Sequence, residues 1–298
     1  PVRYQVYPST SEERWSINKI LRWYSADRLQ KELDALKKLQ EDAAKKWTDE
    51  KWAREEGKRQ RGSRKGMVEE DFAQLSEAGV KYLGEVGLGT VKDGKTANEM
   101  VSWARKYGIQ STIHTGGPSI PGSGLIDADM VIETGTDIIG HINGGHSALP
   151  DDQILCLCET CKSAFEIVHN GNERAAVLTV NTARELDKLD QVILGTDGPA
   201  GSGVQPLGIL RMIAMLSAFG NVPAAEAFCF GTGNTARQRD LDVGLIEKGY
   251  SADFVLLDQA QHAPGKSMLH SVELGNLPGV GMTIIDGIIR SGRSRNTP

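Results

Sequence analysis

No apolar run in this chain is long enough to span a bilayer, which excludes a membrane-crossing helix within it. Cysteine is scarce. Four in 298 residues do not make a disulfide framework, so a reducing cytoplasm is the expected setting. An excess of positive charge is also missing. The net charge of −5 removes the electrostatic case for a nucleic-acid partner. The opening PVRYQVYPST has no apolar core of the kind a secretory signal carries. It starts on Pro rather than Met, which suggests that something upstream was removed or lies on another chain. What remains fits a soluble globular protein: 39% hydrophobic, 24% charged, and long enough for one large domain or two ordinary ones.

Against that background five polar residues recur at a near-constant interval. Glu85, His114, His141, His169 and Asp197 are separated by 29, 27, 28 and 28 residues. Each follows a short apolar run: VKYLG, GIQSTI, TDIIG, FEIV and QVILGT. Each gap has room for one loop and one helix. A strand-helix unit of this length is what a parallel (β/α) barrel requires, and in such barrels the strand ends on one face build the site. Five carboxylates and imidazoles meeting there suggest a divalent metal.

Three segments follow from the pattern. Residues 1–79 are charge-rich, with an edge strand at Val2, Tyr4 and Val6 and then a long helix that Ser25 can cap. Leu29, Leu33 and Leu36 give that helix an apolar stripe, and GKRQRGSRKG at 57–66 reads as an exposed loop. The helix is either a solvated surface element or a docking element for another subunit, anchored by Trp47 and Trp52. Residues 80–230 hold the β-α rhythm, with helices expected at 96–107, 127–134, 150–162, 172–187 and 208–219. Residues 231–298 read as a small β subdomain, with strands in ADFVLLD and VGMTIIDGIIR and a turn at Asp286-Gly287.

The chemistry-bearing positions differ in weight. Glu85 sits in GEVGLG, where a carboxylate at the pocket can bridge two ions. His114 in IHTGG and His141 in GHINGG each follow a strand and precede glycines that let the backbone turn, so both read as metal ligands. His169, in HNGN, reads as a residue facing the substrate. Asp197, in LGTDGPAGSG, reads as a strand-end carboxylate. A divalent ion lowers the pKa of a bound water from 15.7 to about 7. The hydroxide attacks a carbonyl carbon, and a carboxylate moves the proton to the leaving nitrogen, which is the role expected of Asp197.

Three other signals carry less. Cys156, Cys158 and Cys161 fall in a helical pattern with no fourth ligand nearby, so buried free thiols are expected there. Gly231-Thr232-Gly233 mimics a dinucleotide fingerprint, but AEAFCF before it is helical in character. The basic loop has no interleaved aromatics, as a nucleic-acid site would.

Taken together, GEVGLG, IHTGG, GHINGG, LGTDGP and GTGNTAR followed by VGLIEKGYSADFVLLD resemble the metal-dependent amidohydrolase superfamily over about residues 67–298. IPGSG (120–124), PLGILR (206–211) and the terminal SRNTP draw it toward the lactam-hydrolysing branch. The resemblance implies a (β/α)8 TIM-type barrel, of which this chain supplies strands four to eight, and a small β-sandwich subdomain. It implies one or two divalent ions, usually zinc, sometimes iron or manganese. Glu85 would bridge the metals, His114 and His141 would ligate one ion, and Asp197 would be ligand and proton shuttle. The implied reaction is cleavage of a C–N bond in a cyclic amide or related small molecule. A decarboxylase on the same scaffold and a non-catalytic subunit are the rival readings.

The superfamily carries an H-x-H pair at the end of its first strand. This chain has six histidines, none in H-x-H and none before residue 114. Three earlier strands would end near 57, 29 and 1, and two of those positions fall in or beside the charged helix. Three explanations compete: a second polypeptide supplying the first strands and the H-x-H pair, a sequence that is part of a longer chain, or a non-catalytic partner that has lost one metal site; the first is the expectation here, in an oligomeric assembly.

Overall fold

The computed structural model describes residues 67–87, 93–118, 124–144, 148–198 and 205–298, together with Asp34 and Lys38. The charged helix with Trp47 and Trp52, the edge strand before it, the basic loop, IPGSG and the loop that follows Gly198 lie wholly or largely outside them. No helix among the described residues is long and apolar enough to cross a membrane.

Met67–Pro298 form one compact unit. Five parallel strands line up in chain order: β1 (Tyr82–Val86), β2 (Gln110–Ile113), β3 (Ile138–Ile139), β4 (Ala164–Val168) and β5 (Val192–Gly195). The helices between them are α2 (Gly94–Lys106), α3 (Ala128–Thr134), α4 (Asp151–Thr160) and α5 (Glu173–Glu185), with α1 (Glu69–Glu77) ahead of β1. After β5 come α6 (Gly208–Gly220), α7 (Ala224–Phe230) and α8 (Gly233–Gln238). Then β6 (Phe254–Asp258), β7 (Gly279–Ile285) and β8 (Ile288–Ser291) form an antiparallel sheet, with α9 (Met268–Glu273) between β6 and β7. Gly231-Thr232-Gly233 joins two helices, so no strand precedes it and the nucleotide-fingerprint reading fails.

Local chemistry explains the helix starts. Asp93, Asp127 and Asn172 each accept a hydrogen bond from the backbone three residues on, capping α2, α3 and α5. The Asp93 cap begins α2 two residues before the expected 96. Helix α4 stops at Thr160, short of the expected 162. There the Lys188 ammonium donates to the carbonyls of Cys158, Glu159 and Cys161 and closes the helix end from across the fold. The compact unit also begins at Met67 rather than at residue 80, because α1 buries Phe72 against Trp103, Ala104 and Ile109.

The strands alternate between two faces. Ile113, Ile139, Phe165, Ile167, Val192 and Leu194 join the helices in the main core. Ile138, Ala164 and Ile193 cluster separately on the other, inner face. That face is closed at the strand starts by the segment leaving α8. Tyr82 donates its hydroxyl to the Arg239 carbonyl, Gln110 donates its amide to Gln238, and the Arg239 guanidinium pairs with Glu166 at 2.7 Å.

One irregularity positions the site. In the β1–β2 ladder Leu83 pairs with Ser111, and Glu85, not Gly84, pairs with Thr112. Gly84 is an extra residue, a β-bulge.

Candidate metal centre

The five sequence positions stand at the same ends of the five strands. Glu85 is the fourth residue of β1, His114 and Asp197 come just after β2 and β5, and His141 and His169 follow β3 and β4. Backbone bonds hold these ends in step: His114 N–H to Val86 C=O, Gly140 to Ile113, His169 to Gly195 and Asn170 to Thr196.

Three side chains converge. Glu85, His114 and His141 each offer a donor atom, and these lie within 4.8 Å of one another. His114 Nδ1 is 3.4 Å and His141 Nε2 3.2 Å from the Glu85 carboxylate, and the two ring nitrogens are 2.9 Å apart. Both imidazoles are buried, while the Glu85 side chain is 33% exposed. The other ring nitrogen of His114 meets the Gly117 carbonyl at 2.9 Å, which fixes the ring's orientation.

Each arrives by a different local device. His114 continues the inward alternation of Gln110 and Thr112. Glu85 would face the helices by regular pairing, and the Gly84 bulge returns it to the inner face. His141 would also point toward the helices if β3 simply continued. Its backbone instead turns left-handed, φ 32°, and the ring joins the other two. Gly140 must be glycine for this turn, because a Cβ there would lie 2.7 Å from the Ile113 carbonyl oxygen.

Asp197 is half-buried and also left-handed, φ 51°. A non-glycine residue held so costs about 1–3 kcal/mol, and such strain collects at functional sites. Asp197 lies outside the three-residue cluster but close enough for its charge to act on His141. Asn170 donates a hydrogen bond to its carboxylate. His169 is half-buried, and its buried Nδ1 has no hydrogen-bond partner among the described residues. The structure thus brings together three of the four expected ligands, with Asp197 near enough to interact by charge and His169 at the end of β4. Thr115 and Asn143, both 1% exposed, belong to the same loops and went unread in the sequence.

The electrostatics match the geometry. Hydrogen bonds from His114 and His141 hold the Glu85 carboxyl down at about 2, against an opposing effect of burial. Burial opposes the charged form of His141, but the hydrogen bond and charge of Glu85, with Asp197 behind them, raise its pKa above 6.5. Burial pushes the Asp197 carboxyl up, and the negative charge of Glu85 adds to that, while His141 pulls the other way. Two imidazoles and a carboxylate with converging donor atoms fit a divalent transition metal. The Cys156, Cys158 and Cys161 thiols are free, and no second metal-type cluster occurs among the described residues.

Comparison with known proteins agrees with this picture. Residues 87–290 match the model of the amidohydrolase family. Enamidase from Eubacterium barkeri is 38% identical over 234 residues, 78% of this chain and 61% of that protein. A crystal structure of enamidase, described as a member of the amidohydrolase superfamily, superposes with a TM-score of 0.74 over 78% of this chain and 61% of that one. A β-aspartyl dipeptidase from Fervidobacterium islandicum, 18% identical, shares the fold with a TM-score of 0.54 over 79% of this chain and 62% of its own. The chain spans 61% of the length of the enamidase it matches.

Proposed function

This chain belongs to the amidohydrolase family, and we propose that it acts as a cytoplasmic, metal-dependent hydrolase opening the C–N bond of a cyclic amide or lactam. The observation that carries the reading is the convergence of Glu85, His114 and His141 at the ends of three adjacent parallel strands. The 38% identity to enamidase supports the substrate class.

Glu85, His114 and His141 would hold the ion, zinc first and iron or manganese after it. When bound, a divalent cation supplies the Lewis acidity that acidifies water and polarises a carbonyl. Asp197 takes the proton from the attacking water and returns it to the nitrogen as the C–N bond breaks. His169, its buried Nδ1 without a partner among the described residues, orients the substrate. We also propose that a second polypeptide completes the barrel with its first strands and an H-x-H pair. Both β1 and β5 have one unpaired edge among the described residues, and an unpaired edge invites another strand.

The test is to incubate the native assembly with a panel of small lactams and cyclic imides and to identify products by mass spectrometry. A ring-opened acid whose formation stops on chelation is expected. Release of CO2 instead would make the protein a lyase, and a native assembly with no transition metal would make it a non-catalytic subunit. In the same preparation, a single species of this chain's mass with full metal content would rule out the second polypeptide.

Metal affinity should also depend on pH with a definite sign. A ligating imidazole must be neutral, so binding expels the His141 proton. The raised pKa of His141 means that affinity falls about tenfold per pH unit as pH drops below that value, above 6.5. Glu85, held at about 2, stays ionised throughout. In the metal-free chain the same shift stabilises the fold below about 6.5, and that contribution is lost as pH rises through the folded value. Calorimetric titrations at pH 6, 7 and 8 check it, and a flat affinity would contradict it.

A further inference from the structure

We infer that Thr115 and Asn143 are positioning residues for the metal centre: they clamp the turn that carries His141, so the donor atoms are assembled before a cation arrives. The inference rests on the metal-binding reading of Glu85, His114 and His141. Neither side chain belongs to the donor set.

The turn is strained by its own left-handed residue, His141, and something must hold it. On one side it is tied to β2. The Thr115 hydroxyl, fully buried, lies 3.1 Å from the Gly140 carbonyl oxygen and 3.0 Å from that of His141. Thr115 directly follows His114, so one hydroxyl couples the backbones of two ligands. On the other side the turn is tied to β4. Asn143 accepts the Val168 N–H at 2.8 Å and donates its amide to the Val168 carbonyl at 2.9 Å. Its own carbonyl accepts from Asn172 N–H at 3.0 Å. The chain leaves room for this amide only because residue 171 is glycine. A Cβ on Gly171 would sit 2.2 Å from Asn143 Nδ2. The two anchors use opposite sides of one short turn, and they leave the His141 ring pointing at Glu85 and His114.

A clamp of this kind is separable from mere stability. Thr115→Val keeps the side-chain shape and removes the hydroxyl, and Thr115→Ser keeps the hydroxyl. Cobalt(II) titrated into the metal-free native assembly, followed by its visible d–d absorption, reads both affinity and coordination geometry. Thr115→Val is expected to lose about 10–100-fold in cobalt affinity, with an altered spectrum and a melting temperature of the metal-free chain near that of the unsubstituted protein. Thr115→Ser is expected to restore both. If Thr115→Val does not fold, Asn143→Ser releases the turn from the other side and carries the same expectation. Cobalt binding and spectrum unchanged in a folded Thr115→Val or Asn143→Ser variant would overturn the inference while leaving the metal centre standing. Failure of the unsubstituted native assembly to bind cobalt at all would overturn the metal centre itself.

Discussion

Asp197→Asn is expected to lower turnover by about 10²–10⁴-fold while leaving the metal bound and the fold intact. Asparagine has nearly the same shape and tolerates the left-handed backbone that Asp197 adopts at φ 51°. What it loses is the ability to take and return a proton. Burial, with the neighbouring charge of Glu85, pushes the Asp197 carboxyl up from its usual range. That is the direction suited to a group that accepts a proton from water and gives it back to nitrogen within one cycle. Turnover, metal content and melting temperature measured on one preparation decide the matter. Full activity in the asparagine variant would remove Asp197 from the chemistry.

His114→Ala should empty the centre. Substituting outer residues around a metal costs about 10–100-fold in affinity, and deleting a ligand should exceed that. His114 also helps hold the Glu85 carboxyl at about 2, as its leading hydrogen-bond partner. In the metal-free variant that carboxyl should therefore climb toward its ordinary value of 4.5. The low carboxyl pKa contributes stability that is present above about 4.5 and lost as pH falls toward 2, so the variant should lose less on acidification than the parent. Elemental analysis gives the direct answer. Stoichiometric metal in the alanine variant would exclude His114 as a ligand.

Much of this site was legible in the sequence because its residues obey a period. Glu85, His114 and Asp197 each close an apolar run, and a strand-helix unit near 28 residues returns them to one end of a sheet. Helices α2 to α6 were legible for the same reason. Their limits moved by a residue or two where side chains intervened, Asp93 by local capping and Lys188 by reaching across from beyond α5. What stayed hidden depends on tertiary contact. Nothing in VKYLGEV announces that Gly84 drops out of the ladder, since a bulge is defined by the partner strand. Thr115 and Asn143 went unread because their hydrogen-bond partners lie about 25 residues away. Arg239 carries no signal in the sequence, and only the fold sets its guanidinium against Glu166 of β4.

The Gly84 bulge makes the chemistry of this chain a matter of counting. Drawing that one glycine into the ladder would leave every residue in place and every strand still able to pair. Yet Glu85 would fall opposite Ile113, on the side of the sheet that packs on helices. What keeps the carboxylate beside the two imidazoles is thus a register, Glu85 opposite Thr112 with Gly84 left out of the ladder.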